Sequence, residues 1–153
     1  MPTSDREPSI RLLLREAKRD LAPYERLPAA RRAAIGGSCG AEEIAELIAW
    51  LDDLSRAFEA LPDWDGDSQD DIAQAQDTLG AILGQVPKAH FGAVAAGLGS
   101  PAWRTRVHVV RALLTLDRGR ALPILHGAIA RDSDAAARQI MARMLAETES
   151  GGP

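Results

Sequence analysis

The sequence predicts an all-α fold, and three observations support that prediction. The chain contains 28 alanines but only 2 phenylalanines and 1 tyrosine, and alanine favours helices whereas aromatic residues favour strands. Apolar residues recur at three- and four-residue steps, as in Ile44, Leu47, Ile48, Leu51 and Leu54. No window of strand length alternates between apolar and polar residues. We therefore expect about eight helices and no sheet.

The length of the chain predicts a single domain over residues 1–153. With 153 residues, 46% hydrophobic and 26% charged, the chain has the composition of an ordinary globular domain. Its lone cysteine, Cys39, excludes an internal disulfide. The start of the chain lacks a signal peptide's apolar segment, and no apolar run approaches the ~20 residues that span a bilayer. We expect a cytoplasmic protein without a membrane partner.

Glycine, proline and capping residues divide the first half of the chain. Residues 1–40 are expected to hold two helices, Ser9 to about Leu21 and Pro28 to Ile35, followed by a flexible glycine-rich joint.

Residues 41–84 predict an acidic helical hairpin. Its first helix ends near Leu61, an acidic loop follows over residues 62–67, and a second helix capped by Ser68 stops at Gly84.

Residues 85–147 predict shorter helices, followed by a disordered tail over residues 148–153. The expected helix starts are Pro87, Ser100-Pro101, Leu122-Pro123 and Asp132-Ser133-Asp134.

Two segments of this second half align at an offset of 32 residues. Each segment follows a short helix opened by a proline, and a period of this size built from two helices is typical of an α-solenoid. The matched pairs include Arg106 with Arg138, Arg111 with Arg143, and Leu113 with Leu145.

Residues 85–147 resemble the HEAT-like repeats, particularly their short, bilin-lyase-type form. The run Asp-Ser-Asp-Ala-Ala-Ala-Arg138, with Ala-Leu-Pro-Ile-Leu-His-Gly-Ala-Ile-Ala before it, carries the resemblance. Ser100-Pro101 stands where the family usually has an acid, residues 68–98 fit a third copy loosely, and residues 1–61 do not fit. The resemblance implies stacked antiparallel helical hairpins in which Arg106 and Arg138 pair with the turn acid of a neighbouring repeat.

The charges of the chain are segregated along the sequence. Residues 41–77 carry 12 acidic and 1 basic side chains, a net charge of −11, whereas residues 78–146 carry 9 basic and 3 acidic ones, a net charge of +6. Such blocks steer partners and can guide self-association, although soluble helices also need charged outer faces.

Three aspartates surround Trp64 in the expected acidic loop, and three interpretations stay open. Asp63, Asp65 and Asp67 could cap the next helix while Trp64 is partly tucked in. Trp64 could instead be an exposed anchor, because tryptophan is enriched at binding hot spots and acidic rims speed the capture of basic partners. With Asp71, the spacing also resembles a calcium-binding loop, but the bidentate glutamate of such loops is missing.

A second candidate surface is a polar stripe at helical spacing. Arg104, His108, Arg111 and Thr115 are separated by steps of four, three and four residues. This stripe is either a solvated helix face or the concave face of a solenoid, where it would bind an acidic peptide or a phosphate backbone. A pI of about 5.4 argues against nucleic acid. No nucleophile–base pair, phosphate loop or metal motif is found, so we expect no enzyme, no cofactor and no metal.

We therefore expect a non-catalytic, HEAT-like protein-binding module that scaffolds or occludes another protein, with a basic protein as one candidate partner. One version is a bacterial immunity or antitoxin-like protein; abundant alanine and arginine fit a GC-rich bacterial genome. The candidate partner-binding residues are Trp64, Asp63, Asp65, Asp67, Arg104, His108 and Arg111.

Two alternatives remain. The first is a nucleic-acid or phospholigand binder that uses Arg104, Arg111, Arg138 and Arg143. The second is a homodimer held by the opposed charge blocks.

Overall fold

The computed structural model describes Ala33 and residues 35–150, and within them it is all-α with no strand, which confirms the predicted fold class. The helix expected over residues 9–21 lies outside the described residues. So does the helix expected over residues 28–35, except for its end, where Ala33 and residues 35–37 are helical.

The glycine-rich joint packs against the core rather than extending freely. Ile35 and Cys39 are only 1% and 3% exposed. A Cβ atom on Gly36 would lie 2.6 Å from the Cβ atom of Gln85, so the glycine allows this segment to approach the end of the second helix.

Helix α1, Ala41–Ala60, has the bounds that its apolar pattern predicts. The Glu43 carboxylate accepts a hydrogen bond from the Gly40 N–H, 3.4 Å away, at the helix start. The buried face includes Ile44, Leu47 and Leu51, each fully shielded from solvent.

Helix α2, Gly66–Leu83, begins earlier than expected, because Asp65 and not Ser68 is its cap. The Asp65 carboxylate accepts a hydrogen bond from the Ser68 N–H, 3.2 Å away. The short connection makes α1 and α2 antiparallel neighbours. Between them, the buried Gln76 amide donates a hydrogen bond to the Ser55 hydroxyl, 3.0 Å away.

Residues 88–99 form an irregular helical segment. A 3₁₀ turn, Lys88–His90, leads into α3, Phe91–Ala95, and a second 3₁₀ turn covers Ala96–Gly99. A Cβ atom on Gly97 would lie 2.6 Å from the Val109 side chain, so this glycine permits close packing.

Helix α4, Trp103–Leu116, starts two residues after the expected Pro101. The Ser100 hydroxyl accepts a hydrogen bond from the Ala102 N–H, 3.2 Å away, which organises the turn before the helix. Helix α4 contacts α1, α2 and α3, and also the two helices that follow it in the chain.

Helix α5, Arg118–Ala130, contains Pro123, whereas the sequence predicted that Leu122-Pro123 would open it. The helix starts earlier because the Asp117 carboxylate caps it and accepts a hydrogen bond from the Arg120 N–H, 3.2 Å away.

Helix α6, Ala135–Ser150, begins at the predicted acidic turn. The Asp134 carboxylate accepts a hydrogen bond from the Ala137 N–H, 2.9 Å away. The helix continues through Ser150, so the disorder expected from residue 148 is wrong up to that residue; residues 151–153 lie outside the described chain.

Helices α2, α4 and α6 lie side by side and run in the same direction. Asp77 faces His108 and Gly84 faces Thr115, so the contacts between α2 and α4 advance together along both helices. Arg106 near the start of α4 pairs with Asp132 in the turn before α6, and later turns of both helices, with Thr115 and Thr148, line one cavity, so α4 and α6 also run in the same direction.

An ion pair joins the turns that precede α4 and α6. The Arg106 guanidinium donates to both oxygens of Asp132, with Nε–Oδ2 and Nη2–Oδ1 distances of 2.7 and 3.0 Å. Its Nη1 atom donates to the Ser100 carbonyl, 2.8 Å away. The Arg106 and Asp132 side chains are only 13% and 6% exposed. Arg106 thus pairs with a turn acid, as the resemblance implies, whereas Arg138 donates to the Asp132 carbonyl oxygen, 2.5 Å away.

The Asp132 carboxyl is held in its ionised form. Burial alone would raise its pKa, but hydrogen bonds from Arg106 and from the Asp134 N–H, with the charges of Arg106 and Arg138, hold the pKa below its ordinary value of 3.8. The stabilisation from this carboxylate is therefore complete above that ordinary value and is lost as the pH falls through the lowered native pKa.

We expect Asp132→Asn to lower the free energy of unfolding by about 3 kcal/mol at neutral pH, because it leaves the Arg106 charge buried without its partner. Urea denaturation measures this loss, and the difference from the wild type should shrink in acid as Asp132 is protonated. Glu147→Gln, which also removes one negative charge but at an exposed position of α6, is the control. Equal losses in the two variants would contradict the structural role of the pair.

Candidate functional site

Trp64 projects from the connection between α1 and α2. Its side chain is 83% exposed, whereas Trp50 is only 4% exposed. The neighbouring Asp63 and Asp67 are exposed as well, and Asp65 is half-buried because it caps α2. The expectation that Trp64 is partly tucked in is therefore wrong. We call Asp63, Trp64 and Asp67 the loop surface.

The aspartates of this loop do not gather around a common point. Within the described residues, no group of three or more His, Cys, Asp or Glu side chains is placed to hold a metal ion. Asp65 is oriented toward the Ser68 N–H, since it serves as the helix cap. The arrangement supplies the capping role that the sequence predicted, and it gives no support for a calcium loop.

A groove of about 550 Å³ lies between the end of α1 and the start of α4. The sequence did not predict it, because it forms only when two helices distant in the chain meet; the adjacent Trp103 and Arg104 after Pro101 are its only local signal. We call it the α1–α4 groove. It is lined by Ser55, Arg56, Glu59, Ala60, Pro101, Ala102, Trp103 and Arg104.

Arg104 is fixed in this groove by two aromatic rings and a carboxylate. Its guanidinium carbon lies 4.1 Å from the centroid of Phe58 and 4.5 Å from that of Trp103. The guanidinium also forms an ion pair with Glu59. Only 21% of the Arg104 side chain is exposed. Arg104 is therefore a rigid part of a mainly apolar groove, and not a free cation of a basic stripe.

His108 is buried between α4 and α2, which corrects the expectation of a polar, partner-binding stripe. It is 8% exposed, and its Nδ1 atom has no hydrogen-bond partner among the residues that the structure describes. Gly80 makes room for the ring, since a Cβ atom there would lie 2.8 Å from Nδ1. Burial lowers the His108 pKa to about 4; the nearby Asp77 opposes this shift and Arg111 adds to it. The imidazole is thus neutral near pH 7.

Arg111 is half-exposed and lies beside the same aspartate. Its Nη1 atom is 3.7 Å from Asp77 Oδ1, and His108 Nε2 is 3.9 Å from that oxygen. The seven candidate residues therefore separate into two places. Arg104 contacts the end of α1, which precedes the loop surface in the chain, whereas His108 and Arg111 face α2.

The single cysteine is not an activated nucleophile. Cys39 is 3% exposed and donates its thiol hydrogen to the Ile35 carbonyl, 3.3 Å away. Burial, with a smaller effect of the Glu43 charge, raises the pKa of this thiol to about 11. The reactive thiolate is therefore scarce at neutral pH.

No protein family model matches the chain, and no curated protein or solved structure is significantly similar to it. Of the helices in the described part of the chain, none combines the length and the apolar character needed to cross a membrane.

We expect Gly80→Ala to lower the free energy of unfolding by about 1–3 kcal/mol, because the added methyl group would overlap the His108 ring. Gly92→Ala is a matched control, since a Cβ atom there meets nothing within 4 Å. That control should be neutral or slightly stabilising. Chemical denaturation of both variants measures the difference, and a harmless Gly80→Ala would contradict the packing at this position.

The burial of His108 predicts a stability that falls in mild acid. Between its ordinary pKa of 6.5 and its native pKa of about 4, the unfolded chain binds a proton that the native chain does not. Across this range His108 should therefore reduce the free energy of unfolding by roughly 3 kcal/mol as the pH falls.

Denaturation curves across this pH range test the contribution of His108. His108→Gln should flatten this dependence, because it removes the group whose native and unfolded pKa values differ. The same pH dependence in wild type and His108→Gln would show that His108 does not cause it.

Proposed function

We propose that this protein is a binding module that captures another protein on the loop surface. The observation that carries the proposal is the 83% exposure of Trp64 at the tip of a connection between two packed helices. When a partner covers an exposed indole ring, the binding free energy becomes more favourable by about 25 cal/mol for each Å² of apolar surface removed from water. Tryptophan is accordingly among the residues that dominate binding energies when they are buried at an interface.

The charge around Trp64 supports a basic partner. Asp63 and Asp67 are exposed beside the ring, and the segment that contains them, residues 41–77, has a net charge of −11. An acidic rim around an apolar anchor accelerates association with a positively charged surface and rejects acidic competitors. The partner that fits this surface presents lysine or arginine side chains around an apolar contact.

The α1–α4 groove extends the proposed binding surface. It begins at the end of α1, a few residues before the loop, and its apolar lining is supplied by Trp103 with Pro101 and Ala102. The two rings that hold Arg104 restrict its conformations before any partner arrives, so little side-chain entropy is lost on binding.

The proposal retains the HEAT-like architecture and a mechanism without chemistry. The side-by-side arrangement of α2, α4 and α6 and the Arg106–Asp132 pair support stacked hairpins of this type. We propose that the protein scaffolds or occludes its partner in the cytoplasm of a bacterium, and is not an enzyme; an immunity or antitoxin-like inhibitor of a basic toxin is one version. The size and the charge of the chain support this inhibitor version of the proposal.

The alternative of a nucleic-acid or phospholigand binder has less support. Arg104 is paired with Glu59 and Arg111 lies near Asp77, so both cations of the candidate stripe face carboxylates. A phosphate backbone would have to compete with these carboxylates for each guanidinium.

We expect Trp64→Ala to weaken partner binding about thirtyfold, the effect of losing a hot spot of about 2 kcal/mol. The measurement is quantitative affinity capture from extracts of the native cells with wild-type and Trp64→Ala bait. Ile124→Ala, which truncates a 42% exposed side chain elsewhere, is the control bait. Asp63→Asn with Asp67→Asn should also reduce capture; Asp65 is left intact because it caps α2.

A partner that is recovered equally by the wild-type and Trp64→Ala baits would contradict the proposal. Circular dichroism and thermal melting of each bait show that the substitutions leave the fold intact. Because Trp64 is exposed, its truncation should change stability by less than about 0.5 kcal/mol.

A further inference from the structure

Arg106 and Arg138 make the same contact within their own turns. Arg106 Nη1 donates to the carbonyl oxygen of Ser100, six residues earlier, at 2.8 Å. Arg138 Nη1 donates to the carbonyl oxygen of Asp132, also six residues earlier, at 2.5 Å. This shared contact fixes each guanidinium against the turn that precedes its helix.

The second contact is present for Arg106 alone. The Nε and Nη2 atoms of Arg106 bind both oxygens of Asp132, in the turn of the following hairpin. Among the described residues, no carboxylate binds the corresponding edge of Arg138. Arg138, which is half-buried, therefore presents an oriented guanidinium with the geometry that accepts a bidentate carboxylate.

The loop surface contains an aspartate at the position that matches Asp132. Asp134 caps α6 by accepting the N–H of the third helical residue, Ala137, and Asp132 lies two residues before that cap. Asp65 caps α2 in the same way, through the N–H of the third helical residue, and Asp63 lies two residues before that cap. Asp63 is exposed, so it is available to a partner.

We propose that the basic partner of the loop surface is a second copy of this chain, bound head to tail, with Asp63 of one copy paired to Arg138 of the next. This inference rests on the proposed function and names its partner. The charge blocks favour it, because the net charge is −11 over residues 41–77 and +6 over residues 78–146. Opposite ends of two copies thus attract, whereas like ends repel.

The same register gives Trp64 a defined neighbour. Within the chain, Ser133 follows Asp132 and lines one cavity together with Gly99. Trp64 follows Asp63 as Ser133 follows Asp132, so Trp64 of a second copy is the counterpart of Ser133. Arg131, which is exposed, is the counterpart of Gly99, because it lies 32 residues later in the chain and 32 residues is the repeat offset. A second copy stacked in this register brings the Trp64 ring and the Arg131 guanidinium to one cavity between the copies, where a cation–π contact would add to the Asp63–Arg138 pair.

A head-to-tail contact uses two different surfaces, so each copy keeps one free surface and the assembly can extend.

Sedimentation velocity from micromolar to millimolar concentrations should show wild-type mass that rises with concentration and falls with added salt. Asp63→Asn should weaken self-association by about tenfold or more, as should Arg138→Gln. Arg143→Gln, at an exposed position on the same helix, removes the same charge and should have a much smaller effect.

Complementation of two charge reversals gives the sharpest test. Arg138→Glu retains an intact loop surface, and Asp63→Lys retains an intact Arg138, so each variant alone should be monomeric. Their mixture should assemble, because it contains the intact Asp63–Arg138 contact and, at the alternate contact, two reversed charges that again attract each other.

A wild type that stays monomeric at all concentrations would overturn this inference, as would a mixture that does not assemble. Assembly of Asp63→Asn and Arg138→Gln like the wild type would also overturn it. If Trp64-dependent capture of a different protein occurred together with any of these results, the proposed function would stand and only the identity of the partner would change.

Discussion

The buried pair between Arg106 and Asp132 is the interaction on which the arrangement of the second half depends. One guanidinium binds the carbonyl of the turn before α4 and both carboxylate oxygens of the turn before α6. Because a charge this well shielded is strongly destabilising without its partner, the two turns are held in a single relative position. That position sets α6 beside α4, which in turn contacts every other helix of the described chain.

Pairing with carboxylates also distinguishes the arginines that stabilise the fold from the charged residues that are left to bind a partner. Arg104 and Arg111 each face a carboxylate, so the basic stripe suggested by the sequence is largely neutralised. His108 is neutral near pH 7 because it is buried beside Gly80. What remains are an acidic loop around an exposed tryptophan and a basic opposite end that contains Arg138. The proposed binding of a protein by complementary charge and apolar contact rests on these two surfaces.

The sequence predicted features that depend on local pattern or on a repeated spacing. The bounds of α1 follow from its apolar periodicity, the start of α6 from its acidic turn, and the pairing of Arg106 from the repeat resemblance. Features that depend on residues of another helix were not predictable from the local sequence. The burial of His108 requires Gly80 on another helix, and the α1–α4 groove requires Trp103 to meet the end of α1.

Competing local signals explain two further differences. Pro123 lies inside α5 because the cap at Asp117 determines where the helix starts. The exposure of Trp64 could not be derived, because a loop has no apolar periodicity that shows whether a side chain faces the core or the solvent.

Hydroxyl-radical footprinting of Trp64 tests the central claim most directly. The oxidation rate of Trp64 would be measured in the purified chain at high dilution and in the assembly isolated from native cells, with the buried Trp50 as an internal reference. If the loop surface is the binding site, Trp64 oxidises rapidly in the dilute chain and becomes protected in the assembly, while Trp50 oxidises slowly in both. Equal oxidation of Trp64 in the two samples would contradict the account.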